Sequence, residues 1–329
     1  MLEAHHATLP VLQVLLPLVE LAVERGAHPD KLLSGSKLFY PDLGTKVHAV
    51  SLNQLDCVIK NALKHHNAEL SFITGQLYVH TLAGYHSQLL CHCKNLQQLL
   101  RVLSILQPQY FPYCYAHRLT TAEHWHLFFN FAIQDPAQAL KPFYYELLAS
   151  VIAGFCRWRL PTLHAEIRFP YPAPAHIEQY HSHIHFDVSF NHHDFSVVFK
   201  RSDLSLAQPG ALSSLVTRLK RSAALEPRPL GFIQSLEWRL LRQPKLGLAQ
   251  LALQLNISQA TLKRKLQQHN TSLVEIKDRL LRQQAMLRLV EQQQRNEDVA
   301  SALLFSDLSN FRRAFKRWTG ATPSTIKGN

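Results

Sequence analysis

The stretch Leu308-Ser309-Asn310-Phe311-Arg312-Arg313-Ala314-Phe315-Lys316, continued by Arg317-Trp318-Thr319-Gly320, decides how the last third of this chain reads. Wound as a helix, it gathers Leu308, Phe311, Phe315 and Trp318 on one side and leaves Ser309, Arg312, Arg313 and Lys316 on the other. Asp307 is placed to cap its first turn, and Gly320 with Pro323 stops it. Taken alone, the pattern fits an ordinary solvated helix as well as a basic reading surface, so the flanking chain has to discriminate.

Upstream, Asn296 is placed to cap a helix through Val299, Ala300 and Leu303, and Phe305-Ser306 turns into the quoted helix. The same plan occurs earlier. Leu248, Leu251, Ala252 and Leu255 form the inner stripe of one helix, Asn256-Ile257 makes a turn, and Ser258 caps a second helix with Leu262 and Leu266 inward. Asparagine suits that turn because it tolerates positive φ better than most residues. Gln259, Ala260, Lys263, Arg264 and Gln267 point outward, and long cationic and amide side chains can reach guanine and adenine edges in a major groove. Between the two units, Ser272-Leu273-Val274-Glu275 is a capping-box pattern that starts a helix running to about Gln292. About 20 residues at about 1.5 Å each make a rod of roughly 30 Å, close to the about 34 Å that separates successive major-groove faces. Lys277, Arg279, Arg282 and Arg288 on this rod are expected either to touch phosphates between the two grooves or to be solvated.

Charge supports a polyanionic partner. The chain of 329 residues carries a net +12, and residues 226–329 hold 17 lysines and arginines against 8 acids, which is +9 of that total. A membrane surface is the rival, but the basic residues lie on short separate helices, and no apolar run reaches the length of a span, about 20 residues. The five cysteines all fall in the first half, and an odd, irregularly spaced set is a poor disulfide framework, so a reducing, cytoplasmic setting is expected.

The signature Val299-Ala300, Leu303, Phe305-Ser306-Asp307, Ser309, Phe311, Arg313 through Gly320, and Pro323 resembles that of AraC/XylS-type transcription regulators. The resemblance covers the last hundred residues and implies a DNA-binding domain of two helix-turn-helix units joined by a long helix. It implies base contacts from Ala260, Lys263 and Arg264 and from Ser309, Asn310 and Arg313; the residues themselves add Gln267, which points outward on the first reading helix, and Arg312, Lys316 and Arg317, expected to hold phosphates. Two residues depart from the pattern: Leu304 stands where glycine is usual, and Ile326-Lys327 replaces a Tyr-Arg pair. A leucine at positive φ would cost on the order of 1 kcal/mol.

The first two-thirds read as α+β. Helices are expected over Leu9–Arg25, Pro29–Leu33, Ser51–His66, Asn95–Leu106 and Ala137–Trp158, an aromatic hairpin over Tyr110–Ile133, and strands at His164–Phe169, His185–Phe190 and Asp194–Lys200, with a hairpin turn at His192-His193. Gly75 with Gly84, the leucine helix after Asn95, and Phe169-Pro170-Tyr171-Pro172 followed by His176, Tyr180 and Phe190-Asn191 resemble the arabinose-binding-type domain of ornithine-utilisation regulators. That resemblance implies effector sensing and dimerisation without naming the effector. The prolines of Glu226-Pro227-Arg228-Pro229 place the boundary between residues 1–226, an effector-binding and dimerisation domain, and 227–329, the DNA-binding domain.

The expectation is therefore a regulator that is not an enzyme and needs no cofactor. Its partners would be double-stranded promoter DNA, a small-molecule effector and a second copy of the chain, with RNA polymerase a candidate and no membrane. The alternative is a metal- or redox-sensing regulator using Cys91, Cys93 and a His181–His185 strand, which would put three imidazoles on one face, although neither cluster has a second ligand pair to close a zinc site. A catalytic first domain, as in DNA-repair methyltransferases with a similar regulator domain, lacks its Pro-Cys-His motif and four-cysteine site.

Overall fold

The computed structural model describes residues 1–64, 69–81, 84–223 and 229–327. The chain opens with β1 (Leu9–Pro10), a π-helical turn and α1 (Leu16–Glu24), so the expected first helix starts only after Pro10. α2 (Pro29–Leu33) precedes β2 (Ala49–Val50), which pairs antiparallel with β1. α3 (Leu52–Ala62) begins at a capping box between Ser51 and Gln54, and the end expected for it at His66 lies outside the described residues. α4 (Leu70–Thr81) and α5 (Gly84–Cys91) were not anticipated, because α4 is apolar on all sides and shows no stripe to read. Gly75 is what lets α4 lie so close to its neighbour: a Cβ there would sit 2.5 Å from the Leu147 carbonyl oxygen. α6 (Leu96–Tyr110) is capped by Asn95.

The expected hairpin is β3 (Cys114–Thr120) with β4 (His124–Phe131), followed by the long α7 (Lys141–Arg159). β5 (Ala165–Arg168), α8 (Ile177–His183), β6 (Asp187–Ser189), β7 (Ser196–Lys200) and α9 (Ser213–Ala223) complete this part. The sheet order is β3-β4-β7-β5-β6, antiparallel except for β5 with β6. His192-His193 is therefore not a hairpin turn. It carries the chain from the edge strand β6 over β5 to the slot beside β4, since β7 pairs with β4 and β5.

A second correction concerns the histidines. Residues 181–183 belong to helix α8, whose Tyr180 is fully buried with Ile184 four positions on, so apolar spacing of four won over the alternation of imidazoles. His181 is exposed, while His183 stacks on Phe72 with ring centroids 5.2 Å apart. Among the described residues no group of three or more His, Cys, Asp or Glu could hold a metal ion. Cys93 is buried against the Leu89 carbonyl, and burial pushes its thiol up to about 12, so it packs as an apolar side chain.

The last hundred residues are helical: α10 (Phe232–Arg242), α11 (Leu248–Gln254), α12 (Gln259–Gln268), α13 (Leu273–Met286) continued by a π-turn to Glu291, α14 (Asn296–Ala302), α15 (Leu308–Thr319) and α16 (Pro323–Lys327). The boundary expected between Glu226 and Pro227 lies outside the described residues. Among the described residues three apolar clusters organise the fold, one spanning Leu2 to Val216, one Phe232 to Leu280 and one Ala285 to Phe315. Among the described residues no helix is long and apolar enough to cross a membrane.

Strand alternation gives the sheet two faces with different neighbours. Cys114, Ala116 and Arg118 share one face with Leu127, Phe129 and Val197 and look toward α6 and α7. His117, Asn130 and Arg168 share the other, where α13 and its π-turn lie.

Candidate nucleic-acid interface

The two helix pairs are built alike. In the first, Ile257 N–H donates to the Ala252 carbonyl, Asn256 sits at φ +55°, and Ser258 accepts from the Thr261 amide to start α12. In the second, Phe305 N–H donates to the Ala300 carbonyl, Leu304 sits at φ +62°, and Asp307 accepts from the Asn310 amide at 2.7 Å to start α15. Both positive-φ expectations hold, including the uncomfortable one for leucine. The expected Asn296 cap does not: Arg295 occupies the cap position of α14, with no side-chain bond to the helix.

α12 buries Leu262 and Leu266; α15 buries Phe311, Ala314 and Phe315, with Leu308 and Trp318 half-buried against them. Outward, Ala260, Lys263, Arg264 and Gln267 on the first, and Ser309, Arg312, Arg313, Lys316 and Arg317 on the second, are exposed, and Asn310 is half-buried. Lys263, Arg264, Arg312, Arg313 and Lys316 have no acid partner among the described residues. Arg317 does, reaching Asp278 of α13 at 2.9 Å. Asn310 donates to Ser306 Oγ and Asp307, and its amide oxygen accepts from Arg313. The Asn310 amide bond holds the Asp307 carboxyl below its usual range, which keeps this cap charged.

Two of the four cations on α13 and its π-turn meet neither expectation, phosphate contact nor solvation. Arg279 pairs with Glu237 of α10, and Arg282 forks onto Asp194 at 2.7 and 3.1 Å. Arg288 donates to Gln294 at 3.2 Å. Gln283, fully buried, donates to Asn130 and Asp194 and meets His117, while Asn130 donates to Glu237 at 3.2 Å. Arg168 of β5 reaches Glu291 at 2.6 Å. Burial pushes the Glu237 carboxyl up against the pull of Arg279, and burial likewise lowers His117. The cause of the misreading is plain: a helical wheel shows which residues share a side, not whether that side meets water or another layer of protein.

The join is equally tight elsewhere. Leu2 N–H donates to the Leu230 carbonyl and Phe232 N–H to the Leu2 carbonyl. A Cβ on Gly231 would lie 2.2 Å from the Ala132 carbonyl oxygen, so only glycine fits where the two parts of the chain cross. Lys265 and His269 both face Glu3.

Sequence reading also missed Glu146 on α7. It is buried, accepts from Ser71 at 2.6 Å and Tyr180 at 2.5 Å, and lies 3.6 Å from His176 Nε2. Phe169, Tyr171, His176, Tyr180 and Phe190, quoted above for the arabinose-binding-type resemblance, gather around that carboxyl. A single glutamate in an apolar helix offers no sequence signal; its partners come from α4 and α8.

With the geometry set out, comparison with known proteins is direct. The family described as the arabinose-binding domain of AraC transcription regulators, N-terminal, matches residues 26–208, more than half of the chain. The chain belongs to that family of AraC regulators. In this AraC-family chain a helix-turn-helix domain also matches residues 251–329. The ornithine utilization regulator of Pseudomonas aeruginosa is 28% identical over 173 residues, 51% of this chain and 51% of that protein. The AraC-family chain thus spans about half the length of that curated relative. The crystal structure of transcriptional regulator CdpR from Pseudomonas aeruginosa covers 95% of this chain and 97% of its own at 19% identity, with a TM-score of 0.43, too slight a likeness to argue from.

Proposed function

We propose that the chain is a sequence-specific DNA-binding transcription regulator, with residues 1–226 sensing a small molecule and 227–329 binding promoter DNA through two helix-turn-helix units joined by α13. The observation that carries this is the pair α12 and α15, two capped helices that bury one apolar side and present cations with no acid partner among the described residues. α13 and its π-turn, 14 and 5 residues, make a rod of roughly 28 Å, suited to holding two reading helices in consecutive major grooves. In this reading Arg264 and Arg313 specify bases, Ala260, Lys263, Gln267, Ser309 and Asn310 assist, and Arg312, Lys316 and Arg317 hold phosphates. The protein acts in the cytoplasm as a homodimer, with RNA polymerase as a partner at the promoter.

Footprinting of the full chain on its own promoter region tests the proposal. Protection of two adjacent grooves per subunit is expected, and protection of a single groove would reduce the second unit to a backbone contact. Arg313→Ala should weaken the specific site by about 1–3 kcal/mol and barely change binding to random DNA. An equal loss on both would move Arg313 to the phosphate-contacting group.

A further inference from the structure

One cavity of about 570 Å3 lies on the α6/α7 side of the sheet, within the size range of small-molecule sites, roughly 300–1,000 Å3. Its walls come from three places: leucines of α6, the alternating inward residues of β3, β4 and β7, and the far side of α7. A fourth wall comes from α10, through Gln234 and Trp238. The lining is overwhelmingly apolar, from Leu99 and Leu103 to Phe129 and Phe155.

Two cations break that character, Arg101 of α6 and Arg118 of β3. Both are exposed, so they mark the opening of the cavity, and neither has an acid partner among the described residues. Arg118 lies over the Trp125 ring at 4.4 Å, which holds it at the sheet edge. One further polar atom of a lining residue, Gln234 Oε1, is buried without a hydrogen-bond partner.

We propose that this cavity is the effector site and that its ligand is an amphipathic monocarboxylate, an apolar chain or ring seated among the leucines and aromatics with its carboxylate at Arg101 and Arg118. Burial of the apolar body supplies the bulk of the affinity and the arginines select the anionic head. A polyhydroxylated sugar such as arabinose is excluded on the same grounds, because its hydroxyls would lose water without enough partners. The position of the cavity also says what occupancy would act on. Gln107 donates to the Phe111 and Cys114 carbonyls at 2.7 Å and accepts from Gln234 at 2.8 Å, so the α6–β3 wall is tied to α10. α10 carries Glu237, the partner of Arg279 on α13. A ligand that shifts α10 therefore shifts the rod between the reading helices. This deepens the effector half of the proposed function and rests on it for the consequence at DNA; binding is measured without DNA, so either reading can fail alone.

The test uses the full chain, titrated with sodium decanoate and with decanol below their aggregation limits, followed by calorimetry and by tryptophan fluorescence, since Trp125 and Trp238 line the site. Wild type should bind decanoate about tenfold more tightly than decanol and should not bind arabinose. Ile152→Trp, which fills the cavity, should abolish binding of both. The double variant Arg101→Gln with Arg118→Gln, changed only at exposed positions, should keep decanol binding and lose the preference for decanoate. No binding to wild type, or binding that survives Ile152→Trp, would overturn the site. Equal binding of the two probes by wild type, or a preference that persists in the arginine double variant, would overturn the ligand class.

Discussion

α12 and α15 on one hand and α13 on the other carry the same kind of side chains on the same kind of scaffold, yet, apart from Lys265 and Arg317, which pair with Glu3 and Asp278, the cations of the first two stand free of acids among the described residues while two arginines of α13 are packed against protein. Lys263, Arg264, Arg312, Arg313 and Lys316 stand in solvent with no acid partner among the described residues. Arg279 and Arg282 are locked onto Glu237 and Asp194 against the sheet. The difference teaches that basic character alone does not mark a phosphate contact. What matters is whether the layer opposite the helix offers carboxylates at fixed positions, and only packing decides that.

The comparison breaks first at Glu237. Removing one partner of a buried ion pair leaves the other charge uncompensated, so Glu237→Ala should destabilise the protein by about 3–5 kcal/mol in denaturant unfolding. A change of the size seen for exposed pairs would place Arg279 with the solvated cations. Acid titrates the same face. Burial pushes His126 down to about 4, with Glu291 and Glu166 opposing that shift and Arg168 and His124 adding to it. Its folded value lies below the unfolded one near 6.5, so the neutral ring's contribution is fully present above about pH 6.5 and lost as pH falls toward 4. The loss is expected to reach about 3 kcal/mol, and His126→Gln should flatten that part of the stability–pH profile; an unchanged profile would remove His126 from the account. Next comes Leu304, strained at φ +62° and 61% exposed. Leu304→Gly relieves the strain and should stabilise by about 1 kcal/mol in thermal unfolding, bringing the second turn closer to the comfort of the first. The smallest effect on stability is expected at Lys316: Lys316→Ala should change unfolding by no more than about 0.5 kcal/mol while lowering the salt dependence of DNA binding by about one phosphate contact.

Much was legible in advance where the signal is local. Asp307, Ser258 and Ser272 cap the helices they were expected to cap, because capping needs only a side-chain oxygen and an amide three residues on. The two positive-φ turns at Asn256 and Leu304 were legible for the same reason. The β3–β4 hairpin and the three later strands followed from alternation. What escaped was non-local. α4 lacked a stripe because its apolar residues are spread around the helix, and α8 hid behind alternating histidines.

The sequence by itself determined the capped helix Leu308–Thr319, its apolar and basic sides, and the earlier copy of its plan, since each depends on residues within a few turns of one another. The tertiary structure alone decided that Arg279 and Arg282 of α13 turn toward protein, that α10 closes one end of an apolar cavity, and that Arg101 of α6 and Arg118 of β3 both line it. The first two arrangements bring together residues from 42 positions apart, as in Arg279 with Glu237, to 127 apart, as in Gln234 with Gln107, and no periodicity along a chain can encode which distant carboxylate, or which distant wall, a side chain will meet.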